Sequence, residues 1–155
     1  MELRVNQEVV DLLKECAVFQ ELPAEDLSEL ASMMDQEKLS AGAELFKEGD
    51  PGGHLYLIAS GTVEVQKQRS HGSGRVVIAR FERGSIIGEM SLVDGMTRSA
   101  TVVATNPTKV FTLSREVFED IMNTRKELAI KVLLGMAKLL SLRLRNTSGW
   151  FADVF

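Results

Sequence analysis

At 155 residues, with 45% hydrophobic and 26% charged positions, the chain has the size and balance of one folded domain and not of a disordered segment. Its formal charge of −4 gives no long-range pull toward a polyanion, which sets aside nucleic acid and membrane as direct partners. The single cysteine, Cys16, excludes an internal disulfide, and the charge-studded opening MELRVNQEVVDLLKE excludes a signal peptide or membrane span there, so a cytoplasmic protein is expected.

Residues 1–34 predict two short amphipathic helices. Val5, Val9, Leu12, Leu13 and Cys16 recur at three- and four-residue intervals, and Leu27, Leu30, Met33 and Met34 repeat the pattern after Pro23. Cys16 lies on that stripe and reads as a small core residue. Across residues 35–113 the grammar changes to short runs rich in Val, Ile, Thr and Phe, broken by glycines and by turns such as Asp50-Pro51-Gly52-Gly53 and His71-Gly72-Ser73-Gly74. Strands are predicted near 36–40, 43–48, 55–59, 62–67, 75–81, 99–105 and 108–113. Turns at this spacing predict a mainly β fold, an antiparallel β-roll or jelly roll (double-stranded β-helix).

Helices follow the roll across residues 114–146. Ser114 offers an N-cap for a helix to about Met122, a long helix runs from about Thr124 to Arg145, and residues 147–155 form an apolar tail. In the long helix Lys131, Gly135, Lys138 and Ser141 define one narrow polar stripe, while leucines and other apolar residues cover most of the rest. One roll cannot cover so wide a face. Either the N-terminal helices share it, or a second copy packs against it in a homodimer. The whole of 1–155 reads as a single domain.

The chemistry concentrates in residues 86–104, IIGEMSLVDGMTRSATVVA. Glu89 and Arg98 stand nine residues apart in a segment that is otherwise apolar or small, Asp94 aside. Gly88 precedes a predicted single helical turn from Glu89 to Val93, whose free N–H groups favour an anion, and Asp94-Gly95 then reverses the chain. Arg98 offers a planar fork of donors to a phosphate or carboxylate. Glu89 can only accept hydrogen bonds and repels that same anion, so its partner must be a neutral donor, such as a ribose hydroxyl beside a phosphodiester. The competing reading of the two residues is a structural salt bridge across a turn.

Gly88-Glu89-Met90-Ser91-Leu92, five intervening residues and then Arg98-Ser99-Ala100 resemble the phosphate-binding cassette of cyclic nucleotide-binding domains, the family of the bacterial cyclic-AMP receptor protein and protein kinase A regulatory subunits. Gly49-Asp50-Pro51, Leu55-Tyr56-Leu57-Ile58 and Gly61-Thr62-Val63 look like the family's early strands and glycine turn, so the resemblance spans nearly the whole chain. It implies cyclic AMP or cyclic GMP as ligand, with no further cofactor. Glu89 would bind the ribose 2′-hydroxyl and Arg98 the cyclic phosphate. The backbone of Gly88 and Ala100 and the side chain of Ser99 would complete a pocket in which Met90 and Ser91 take part. Ser99 leaves the choice between the two nucleotides open. The family covers the base from its last helix or beyond, where Arg143, Arg145 and Trp150 are the candidates here. Each also has a plainer role, the arginines as solvated helix-end charges and Trp150 as a packed tail residue.

A DNA-reading helix-turn-helix follows the long helix in the receptor-protein relatives, and about ten residues follow it here, so direct transcription control is not expected. Nor is catalysis. His54 and His71 fall in predicted turns without an acidic ligand pattern, and Ser91, Ser99 and Cys16 have no neighbouring base. The expectation is a stand-alone cyclic nucleotide sensor with an unknown effector protein; its rival is a protein-docking module on the same fold that no longer responds to nucleotide.

Overall fold

The computed structural model describes residues 6–154, with side chains described for 6–146. Two antiparallel four-stranded sheets form the roll. One has the order β1 (Asp35–Leu39), β8 (Thr108–Ser114), β3 (His54–Ser60), β6 (Ile86–Ile87). The other has the order β2 (Glu44–Phe46), β7 (Thr101–Ala104), β4 (Val63–Gln68), β5 (Arg75–Phe81). The mainly β architecture with flanking helices is the one expected from the sequence.

Strand β3 shows how the layers are tied together. Its sequence, HLYLIAS, is apolar on both faces, because successive side chains of a strand point to opposite sides. Leu55, Leu57 and Ala59 join the cluster packed with the helices, whereas Tyr56 and Ile58 join a smaller cluster that includes Val63, Ile87, Val102 and Val110. The two-residue β6, absent from the predicted strands, pairs Ile86 with Leu57 and Ile87 with Tyr56, and so splits its isoleucines between the same two clusters. Two residues are too few to show a period, which is why the sequence conceals this strand.

Strand β2 is shorter than the predicted 43–48. Asp50 accepts a hydrogen bond from the Lys47 amide at 3.0 Å, and its own amide donates to the Lys47 carbonyl at 3.0 Å, closing a turn where the strand was expected to continue. Strand β7 likewise occupies only Thr101–Ala104 of the predicted 99–105.

The helices are α1 (Gln7–Glu15), α2 (Ala24–Ser32), α3 (Glu89–Asp94), α4 (Arg115–Thr124) and α5 (Lys126–Val154). Asn6 caps α1 by accepting from the Glu8 amide at 3.0 Å, and Ser114 caps α4 by accepting from the Val117 amide at 3.1 Å. Cys16 is buried with the α1 leucines, and burial pushes its thiol up from the ordinary value. Helix α5 runs well past the predicted end at Arg145, into the stretch expected to be a tail.

Leu128, Ala129, Val132 and Met136 of α5 are buried in the cluster shared with α1 and α2. Of the polar stripe expected on this helix, Lys131, Gly135 and Lys138 lie toward the N-terminal segment, whereas Ser141 is exposed. Lys131 pairs with Asp26 at 3.2 Å and Lys138 with Glu21 at 3.5 Å. Gly135 lies so close to the chain after α1 that a Cβ there would stand 2.2 Å from the Val18 carbonyl oxygen. The face left exposed carries Ile130, Leu134, Ala137, Ser141 and Leu144, alternating by four and three residues. That is the spacing of a coiled-coil seam.

Candidate functional site

The loop-and-helix segment from Gly88 to Ala100 closes one end of the inner cluster. Gly88 precedes α3 at φ +82°, and a Cβ there would stand 2.6 Å from Arg98 Nη1 and 2.8 Å from the His54 carbonyl oxygen. Both the left-handed backbone and the missing side chain are therefore required for the guanidinium to lie where it does. Arg98 is only 4% exposed. Its Nη1 donates to the Gly88 carbonyl at 3.3 Å, its Nη2 donates to the His54 carbonyl at 2.9 Å, and its guanidinium lies 4.2 Å from the centre of the Phe46 ring. The backbone is fixed as well: the Arg98 amide donates to the Asp50 carbonyl, and the Gly49 amide donates to the Arg98 carbonyl, both at 2.8 Å.

One donor of this buried cation, Nε, has no acceptor among the described residues. A buried charged donor left unpaired is costly, so the group calls for an anion. Burial pushes the guanidinium below its ordinary value, opposed first by the Tyr56 hydroxyl and then by Asp50 and Glu89.

Glu89 is also 4% exposed. Its carboxylate is ion-paired with Arg143 of α5, which further donates to the Ile86 carbonyl at 3.1 Å and lies 5.2 Å from the centre of the Phe81 ring. The salt bridge considered across the turn is thus replaced by one from α5, and Arg98 is engaged by carbonyls and aromatic rings. The pocket these groups share is lined by Phe46, Val65, Phe81, Ile86, Ile87, Gly88, Glu89, Met90, Ser91, Arg98, Ser99, Ala100, Val102 and Arg143.

All seven cassette residues expected at the site therefore line one pocket, with Ser91 and Ala100 buried and Met90 and Ser99 more exposed. The three candidates for covering a base separate. Arg143 is in the pocket, on the carboxylate. Arg145 is exposed in a surface groove with Ala137, Lys138, Ser141 and Leu142. The Trp150 side chain lies outside the described residues. Sequence reasoning missed Phe46, Tyr56 and Phe81, which supply the aromatic support of the two guanidiniums. Their only signal was an aromatic residue on strands that register later brings beside the cassette. Among the described residues no three His, Cys, Asp or Glu side chains converge on a possible metal position.

A β-roll closed by a glycine-hinged cassette with a buried arginine and a buried glutamate defines a class of ligand-binding regulatory domains. The sequence profile of the cyclic nucleotide-binding domain matches residues 36–125, and the chain belongs to that family. A crystal structure of a cyclic nucleotide-binding domain from Methylobacillus flagellatus KT superposes with a TM-score of 0.84 at 33% identity, covering 96% of this chain and 83% of that one. A cAMP-dependent protein kinase regulatory subunit from Colletotrichum orbiculare is 31% identical over 72% of this chain and 28% of its own length. For cGMP-dependent protein kinase 2 of Mus musculus the identity is 30%, over 74% of this chain and 14% of the kinase. The chain thus spans well under a third of either relative. The family's ligands are cyclic AMP and cyclic GMP. No helix among the described residues is long and apolar enough to cross a membrane.

Proposed function

We propose that this chain is a cytoplasmic, non-catalytic sensor that binds cyclic AMP or cyclic GMP on its own and signals through α5. The observation that carries the reading is the orphaned Nε of Arg98, a buried donor beside a buried Glu89. Arg98 holds the cyclic phosphate, with Ser99 and the backbone at Gly88 and Ala100 around it. Glu89 accepts from the ribose 2′-hydroxyl, and Met90 and Ser91 complete the wall. Electrostatics supports this assignment. Glu89, Arg98 and Arg143 sum to one net positive charge, which a single phosphodiester neutralises. Arg143 joins that balance from α5, so ligand and helix share one carboxylate. Ligand shifts α5 only by binding one of its positions more tightly, and the shared carboxylate is where that difference arises.

Titration calorimetry with each nucleotide, combined with hydrogen exchange along α5, tests the proposal. Binding of at least one nucleotide with changed protection near Arg143 is expected; no heat and no melting shift at millimolar nucleotide would overturn it.

The exposed seam on α5 supports a homodimer as the form in which the signal reaches an effector. Ile130, Leu134 and Leu144 are 64%, 55% and 66% exposed, an apolar stripe of the kind that supports an interaction surface. Ala137 and Ser141 between them let two helix backbones approach. In sedimentation, Leu134→Glu combined with Ile130→Lys is expected to give a monomer where the parent chain gives a dimer; a monomeric parent at high micromolar concentration defeats this reading of the seam.

A further inference from the structure

Strand β4 places apolar residues on its inner face at Val63 and Val65, and the next residue in that alternation is Lys67. Val65 pairs with Val102, both line the pocket, and the ladder ends at Gln66 and Thr101, so Lys67 and the pocket residue Ala100 each stand one residue beyond the last pair. The ammonium is anchored at the cassette: Nζ donates to the Ser99 carbonyl at 2.7 Å and pairs with Glu48 at 3.1 Å. Lys67 is itself half-exposed and does not line the pocket, so its place at the site rests on the tether to the residue after Arg98, which an ordinary surface ion pair does not need.

We propose that Lys67 is a second cation of the anion subsite, reaching the ligand's phosphate from β4 while Arg98 holds it from the opposite side; this rests on the cyclic nucleotide reading of the pocket. A cyclic phosphate has two exocyclic oxygens and needs two sets of donors. The buried, carbonyl-bound guanidinium of Arg98 serves one oxygen. A lysine has three N–H donors, and two of those on Lys67 go to Ser99 and Glu48 among the described residues, leaving one for the other oxygen. Glu48 holds the ammonium in place. Its carboxylate also accepts from the Gln68 amide at 3.3 Å, and the bond from Lys67 keeps it below the usual carboxylate range. The carboxylate therefore competes with the ligand for the same cation, which sets the direction of two opposite substitutions.

Lys67→Met is expected to weaken cyclic AMP and cyclic GMP alike, by about 10-fold, as for one charge-assisted hydrogen bond at a half-exposed site. Glu48→Gln is expected to tighten both a few-fold at low salt. The two phosphorothioate diastereomers of cyclic AMP, each with sulfur in place of one exocyclic oxygen, supply a readout that a structural lysine would not move: Lys67→Met should erase the penalty for one diastereomer and leave that for the other intact. Unchanged affinity in Lys67→Met, loss confined to one base, or penalties that persist equally for both diastereomers would overturn the assignment. If the parent chain binds neither nucleotide, the failure lies in the sensor reading; if the parent binds and the Lys67 series is flat, it lies here alone.

Discussion

Arg98→Leu is expected to weaken cyclic nucleotide binding by about 100-fold or more while leaving the melting temperature unchanged or slightly raised. The binding loss follows from the site. The guanidinium supplies the charge at the closed end of the pocket and an unused buried donor, and hydrogen bonds to charged groups contribute roughly 1.5–3 kcal/mol each. Removing the charge and more than one such bond exceeds two decades of affinity. The stability result has the opposite sign because a nearly buried cation with an unpaired Nε is itself a cost, and leucine replaces it with apolar volume against Phe46 and Tyr56. The carbonyls of Gly88 and His54 lose their donor, which limits the gain. Calorimetry and a thermal melt on the same sample separate the two. A variant that loses binding and melts much earlier would make Arg98 a structural residue first.

Gly135→Ala carries the second large effect, on stability. The new Cβ would lie 2.2 Å from the Val18 carbonyl oxygen and 3.0 Å from its carbon, both backbone atoms that cannot swing aside. Helix α5 must move away from the α1–α2 connection, which strains the packing of Val132 and Met136. Overpacking of this kind costs about 1–3 kcal/mol, or roughly 4–8 °C of melting temperature for a loss near 2 kcal/mol in a domain of this size. Alanine is otherwise the better helix former by about 1 kcal/mol, so an exposed glycine here would show stabilisation instead. A thermal or urea melt therefore has opposite signs for the two cases.

The cassette was legible in the sequence because its chemistry is local: Gly88, Glu89, Arg98, Ser99 and Ala100 fall within thirteen residues, and a carboxylate beside an anion subsite is a strong constraint even without coordinates. The apolar runs between glycine-rich turns that marked β3, β4 and β8 were equally local. What the sequence concealed depends on pairing between distant elements. Arg143 was expected over a base or in solvent, and it meets Glu89 from 54 positions away in the chain, a contact that depends on how α5 crosses the roll. Lys67 drew no notice because a lysine near a hairpin end looks like a solvated charge until its bond to the Ser99 carbonyl is known. Phe46 and Tyr56 are ordinary strand aromatics until both are found around one guanidinium. The polar stripe on α5 was given no partner by composition, whereas its lysines reach Asp26 of α2 and Glu21 of the α1–α2 connection and its glycine removes a clash.

That glycine has a mechanical consequence. Where α5 passes the Val18 carbonyl it lies against backbone on one side, and the helix continues beyond that contact to Val154. Arg143 lies about 12 Å beyond the contact and the helix end at Val154 about 28 Å beyond it, at 1.5 Å per residue. If α5 pivots there as a straight rod, a displacement of 1 Å at Arg143 would be carried to the far end at somewhat more than twice its size. Gly135 would be the fulcrum of such a lever.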